Sequence, residues 1–223
     1  MKHLEMRIVN FHGIGEPCRE LEFGEAPFWI TEKQFVNFLD EIEPAKERVL
    51  VTFDDGNFSD INIGAEWLEK RKIKAIFFPL AGRLNEKGSL SASDLRTLLS
   101  SDHVIGTHGF NHVSWMKLDQ YGVQKELVDA RVLLEDCIGV KINDAAIPFG
   151  KYGRQTLQNL RLLDYRYVYS SDAGSYIGAP FPIPRWSVRM DTKPQDIRDF
   201  LSGNENTIKK MRRALSKFKK QIF

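Results

Sequence analysis

The sequence predicts an α/β fold, a distorted and incomplete (β/α) barrel of about seven parallel strands. Short apolar runs alternate with stretches of helical periodicity along the whole chain. The length of 223 residues is slightly less than an eightfold barrel usually takes. The chemically unusual residues fall just after the apolar runs, where parallel β/α architectures carry their sites.

Residues 7–11 read as the first strand. Residues 31–42 follow as a helix with Thr31 as its N-cap and Phe35, Phe38, Leu39 and Ile42 on one face. Residues 49–53 form a buried strand, 59–71 a helix, 75–78 a strand leaving through Pro79, and 91–99 a helix opened by a serine cap. A short strand near 104–107, a helix over about 118–138, a strand around 145–147 and a helix near 155–163 come next. Residues 167–170 and 183–188 supply the last two strands. No repeat or low-complexity linker divides the chain. Residues 1–205 are therefore read as one catalytic domain and 206–223 as a basic amphipathic helix.

Hydrophobic residues make up 42% and charged residues 28% of the chain, a balance that excludes disordered and fibrous classes. Two cysteines, Cys18 and Cys137, are too few for a disulfide framework and match no zinc spacing. No run approaches a membrane span, and Lys2, Glu5 and Arg7 interrupt the N-terminus where a signal peptide needs an apolar stretch. A cytoplasmic location is expected. The net charge of +2 hides an asymmetry: residues 208–223 hold seven Lys and Arg and no acid, leaving a body of 25 bases against 30 acids. In that segment Met211, Leu215, Phe218 and Ile222 recur on one helical face, the form of a helix lying on an anionic membrane or packed on the barrel. The acidic body gives no reason to expect a nucleic-acid partner.

Thr52-Phe53-Asp54-Asp55-Gly56 puts adjacent carboxylates where an apolar strand meets a glycine turn. A continuing strand would aim them at opposite faces, but a bend at the strand end lets both reach one site. One could then bind a metal while the other takes a proton; plain turn chemistry is the alternative. His108-Gly109-Phe110-Asn111-His112 spaces two imidazoles four apart, as on one turn of helix, which suits a divalent ion. Two histidines and a carboxylate at a rim form a catalytic metal site with an open position.

These residues resemble the polysaccharide deacetylases of the NodB-homology type, carbohydrate esterase family 4, over roughly residues 7–202. The resemblance implies that Asp54 is the base and Asp55, His108 and His112 the metal ligands. Ile147-Pro148-Phe149-Gly150 is similar to the third family motif, which implies that Phe149 offers its backbone N–H to the oxyanion. Two departures stand out. Ala146 occupies the place of the usual arginine, so Arg185 becomes the candidate to orient the base, and no histidine follows His112. Asn10-Phe11-His12-Gly13 resembles the permuted exopolysaccharide-deacetylase branch, which implies that His12 takes the missing histidine's role, stabilising the oxyanion or protonating the departing amine. Asp172 is the candidate to orient it, with a cap or turn as its alternative role.

The implied activity is metal-dependent removal of N-acetyl groups from amino sugars of a polysaccharide or its lipid-linked precursor. Zinc is the default ion, with cobalt, nickel or iron also suited to such ligands. The alternatives are a carbohydrate-binding pseudoenzyme and a hydrolase, such as a deformylase, acting on another amido sugar. Trp115, Tyr152, Tyr176 and Trp186 are candidates to stack on sugar rings, each weighed against ordinary packing.

Overall fold

The computed structural model describes residues 4–204 and Lys220. In chain order the parallel strands of the barrel wall are β1 (Met6–Phe11), β2 (Val49–Asp55), β3 (Ala75–Pro79), β4 (Val104–Ile105), β5 (Asp144–Ala146), β6 (Tyr167–Ser170), β7 (Ile183–Pro184) and β8 (Trp186–Ser187), beside a separate two-residue parallel pair, Gly13–Ile14 with Trp29–Ile30. They pair as β8-β1-β2-β3-β4 in one sheet and β5-β6-β7 in another. A bridge between Thr107 and Ala145 joins the two on one side. On the other side only Arg185 separates β7 from β8, so the predicted strand over 183–188 hands over from one sheet to the next. The ladder is broken at both joints, and the barrel is incomplete.

Alternation along the strands creates two layers. Val9, Phe11, Val51, Phe53, Ala75 and Phe77 face the helices, whereas Ile8, Ile76, Phe78, Ala146, Tyr169 and Ile183 pack together inside the barrel. With both faces covered, the central strands read as continuous apolar runs. Phe11 meets Phe35 edge-on at 5.0 Å between ring centres, and Phe53 stacks on Phe77 at 4.8 Å. These aromatic contacts pin the helix side of β1 and β2 immediately before the residues that open the site.

The helices follow the expected signals. α1 (Glu32–Ile42) buries Phe35, Phe38, Leu39 and Ile42. Its cap is reciprocal, with Gln34 N–H donating to the Thr31 hydroxyl at 3.2 Å and the Gln34 side chain accepting from Thr31 N–H at 3.0 Å. α2 (Glu66–Lys70) follows a wider π-type turn over Asp60–Ala65. α3 (Ala92–Ser100) has a matching Ser91–Asp94 capping box. The predicted helix over 118–138 is interrupted by a π-type segment, Gln124–Asp129, before α4 (Ala130–Ile138). α5 (Arg154–Leu162) and α6 (Pro194–Ser202) complete the outer layer. No helix among the described residues is long and apolar enough to cross a membrane. The expected helix over 206–223 lies outside the described residues apart from Lys220.

At the end of β2 the chain reverses through Gly56, whose φ is 68°. A β-carbon there would lie 2.8 Å from the Pro79 side chain and 2.9 Å from its α-carbon. Gly56→Ala therefore combines left-handed strain with a backbone clash, a loss of about 2 kcal/mol or more. Thermal unfolding should show a drop of about 4–8 °C; an unchanged melting temperature would mean that this turn does not constrain the strand end.

Candidate functional site

Four parallel strands bring polar residues to the top of the barrel interior. Arg185, at the junction of β7 and β8, is completely buried and grips Asp54 with both terminal guanidinium nitrogens: Nη1 donates to Oδ1 at 2.6 Å and Nη2 to Oδ2 at 2.7 Å. Nη1 also reaches Asn10 Oδ1 at 3.0 Å and Thr52 Oγ1 at 3.3 Å, and Nε donates to the Ser170 carbonyl at 3.4 Å. Asn10 Nδ2 donates to Asp54 Oδ2 at 3.0 Å. Burial by itself pushes the Asp54 carboxyl up, but the charge on Arg185, the His108 ring, the hydrogen bonds from Arg185 and His12 together hold it well below the usual carboxylate range. Asp54 is thus a fixed anion.

Asp55 continues β2 but has a φ of 76°, the bend that lets its side chain share a site with Asp54. Its Oδ1 lies 3.6 Å from His108 Nε2 and 3.5 Å from His112 Nε2. Both carboxylate oxygens are buried without a hydrogen-bond partner. One ligand atom from each of Asp55, His108 and His112 falls within 4.8 Å of the others.

The ring orientations are fixed from behind. His108 Nδ1 is 2.9 Å from the Ala146 carbonyl. A carbonyl only accepts, so Nδ1 carries the proton and Nε2 presents a lone pair. Burial first, then the charges of His112 and Arg185, push the His108 pKa down to about 4 against the opposing pull of Asp54 and Asp55, so the ring stays neutral. His112 Nδ1 donates to Glu22 Oε2 at 2.6 Å, and Arg83 pairs with the other oxygen of that carboxylate. Burial raises the Glu22 pKa, but His112 and Arg83 outweigh it and leave the group below its usual range.

The two histidines do not sit on a helical turn, contrary to expectation. Gly109 has a φ of 89° and His112 one of 55°, so residues 108–112 form a loop. Buried Glu126 holds it, accepting from Phe110 N–H at 2.8 Å, Asn111 N–H at 3.1 Å and Asn111 Nδ2 at 2.9 Å. The imidazole centres end 5.4 Å apart.

A cavity of about 400 Å3 opens above these groups, lined among others by His12, Asp54, Asp55, His108, His112 and Phe149. His12 packs its ring on Phe28 at 4.7 Å, and its Nδ1 is buried without a partner. Phe149, with φ of 58°, stacks its half-exposed ring on His112 at 4.4 Å. Asp172 departs from the expectation. Its carboxylate accepts from Tyr152 Oη at 2.6 Å, Ser170 Oγ at 2.8 Å and Lys220 Nζ at 2.7 Å, and it does not line the cavity. Those three donors hold the carboxylate, and none of its hydrogen bonds among the described residues goes to His12. Trp115 and Tyr152 are core residues and Tyr176 is partly buried, whereas Trp186 lines the cavity.

Sequence reasoning missed Glu22, Glu126 and Asp60. Glu22 comes from an irregular segment, and Glu126 resembles any acid on a helix. Asp60 is buried with both oxygens unpartnered; burial, reinforced by the charges of Asp55 and Asp54, pushes its carboxyl well above the normal range.

Comparison with known proteins bears on the fold and the family. YxkH of Bacillus subtilis (strain 168), whose name proposes a polysaccharide deacetylase, is 23% identical over 133 residues, 60% of this chain and 48% of YxkH. The chain thus spans about half the length of that relative. The deacetylase PplD of Streptococcus pyogenes, solved in complex with acetate, superposes with a TM-score of 0.77 at 17% identity, covering 90% of this chain and 99% of PplD. IcaB from Ammonifex degensii gives 0.69 at 19% identity, covering 90% and 98%. At such identities the structural likeness speaks for the fold. The sequence model of the polysaccharide deacetylase family matches residues 41–168, more than half of the chain, and the chain belongs to that family.

Proposed function

We propose that this chain is a metal-dependent N-deacetylase of an acetylated saccharide, with its catalytic domain within residues 1–205. The observation that carries the reading is the convergence of Asp55, His108 and His112 beside an Asp54 clamped by Arg185. The donor set fits a divalent ion. Two imidazole nitrogens and a carboxylate suit zinc and its neighbours, and the two orphaned oxygens of Asp55 are the groups an ion would satisfy. Such an ion, when bound, supplies Lewis acidity that lowers the pKa of water from about 15.7 toward roughly 7 and polarises an acetamide oxygen.

The protein's own groups divide the remaining work. Asp54, ionised at working pH, accepts the proton of the attacking water. Its Oδ2 is 3.9 Å from His108 Nε2, so the acceptor sits at the edge of the ligand cluster. Arg185 fixes both oxygens and keeps the carboxylate anionic, a positioning role that the usual arginine before the proline would otherwise fill. The Phe149 N–H, on its strained turn, is assigned to the developing oxyanion. His12 is assigned the proton donated to the departing amine. The acetate recorded with PplD is the product that this hydrolysis would release. The basic segment 208–223 offers a route to a lipid-linked substrate on an anionic surface.

Three measurements test the reading. Elemental analysis should find near-stoichiometric divalent metal in the wild type and little in His108→Ala; no uptake by either protein after zinc, cobalt or nickel is added would overturn metal dependence. Glu22→Gln should weaken metal binding by about 10- to 100-fold in a chelator competition, because the carboxylate holds the His112 ring in its orientation. Asp54→Asn should retain metal yet cut acetate release from an N-acetylated oligosaccharide by at least about 100-fold, and full activity in that variant would remove Asp54 from the base role.

A further inference from the structure

The segment between the two-residue strands Gly13–Ile14 and Trp29–Ile30 carries an aromatic residue that none of the chemistry above uses. Phe23 is fully solvent-exposed, with a relative exposure of 108%, and it lines the cavity that holds Asp54, Asp55 and both histidines. A lone exposed phenyl ring is ordinary on a protein surface. This one differs because the backbone on either side is held by charged and buried contacts. On one side Glu22 is bound by His112 and Arg83. On the other, buried Glu25 accepts from Arg19 Nη1 at 3.0 Å, from Glu22 N–H at 2.8 Å and from Trp29 Nε1 at 3.4 Å. Gly24, with φ of 85° and open space where a β-carbon would project, makes the turn between them.

The braced backbone places Phe23 at the cavity mouth, where Phe28, Phe149 and Trp186 supply further aromatic lining. The mouth is therefore apolar and flat-faced while the floor is acidic and imidazole-rich. A pyranose ring has the complementary character: its C–H faces are apolar and its edge carries hydroxyl and acetamido groups.

We propose that Phe23 is a saccharide platform, covering the C–H face of a sugar ring at the cavity mouth while the acetamido group reaches the floor. The proposal rests on the saccharide reading given above and adds a residue that determines substrate affinity. Contact with the sugar removes apolar surface of both partners from water, and the braced loop has little conformational freedom left to lose on binding.

The test uses full-length protein loaded with zinc and the tetramer of N-acetylglucosamine as probe, with affinity read by calorimetry. Phe23→Ala should bind the tetramer about tenfold more weakly, and Phe23→Trp should stay within about twofold of the wild type. Metal content should be equal in all three proteins, which separates loss of the platform from disturbance of Glu22 and His112. Equal tetramer affinity in the wild type and Phe23→Ala, or no tetramer binding by the wild type, overturns the platform. Tetramer binding that follows the expected order without acetate release overturns the deacetylase reading and leaves the platform standing.

Discussion

The buried pair between Arg185 and Asp54 is the constraint around which the barrel top is arranged. Neither side chain reaches solvent to any useful extent, and an unpaired charge in that position would be penalised by several kcal/mol. The pair is tolerable because its remaining hydrogen-bonding capacity is met by β1 through Asn10, β2 through Thr52 and β6 through Ser170. The same guanidinium sits where the chain passes from β7 to β8, the weak joint between the two sheets. One interaction thus closes the polar layer above Ile8, Phe78 and Tyr169 and fixes the carboxylate assigned as base. Stability and the chemistry proposed for the site depend on the same atoms.

Around that anchor the site departs from relaxed backbone geometry. Asp55, His112 and Phe149 all have positive φ, uncommon for residues other than glycine and a frequent property of functional positions. Each is restrained by its surroundings. Asp55 is followed by the Gly56 turn against Pro79, His112 is held through Glu22 and the Glu126-bound loop, and Phe149 precedes Gly150, whose carbonyl accepts from Lys220 at 2.9 Å. Lys220 also bonds Asp172, so this basic residue near the C-terminus ties two loops of the barrel wall together. The strain aims side chains that regular strands or helices would turn away.

Much of the fold and part of the site are legible in the sequence because they depend on local periodicity. The capping boxes at Thr31 and Ser91, the buried face of α1 and the strands through Val51 and Phe77 follow from residue spacing alone. Asp54, Asp55, His12, His108, His112 and Phe149 stand out because they follow apolar runs at one end of a parallel sheet, and all six line one cavity. Asp172 satisfies the same positional rule, yet its side chain turns toward Tyr152, Ser170 and Lys220. Strand position predicts which rim a residue occupies, whereas side-chain direction depends on the partners waiting there.

The sequence by itself determined the parallel α/β architecture, the caps and the adjacent carboxylates at a strand end, because these obey short-range geometry and the burial of periodic apolar faces. Arg185 is already the sequence's candidate to orient Asp54, and the tertiary structure supplied the two-point contact across 131 residues. Only the tertiary structure decided that Glu22 braces His112 across 90 and that Glu126 shapes a loop where a helical turn was expected. It also decided that Phe23 stands at the cavity mouth. Those contacts join residues far apart in the chain through irregular segments, where no period exists to read and where unsatisfied buried polar groups select their partners only once the chain has folded.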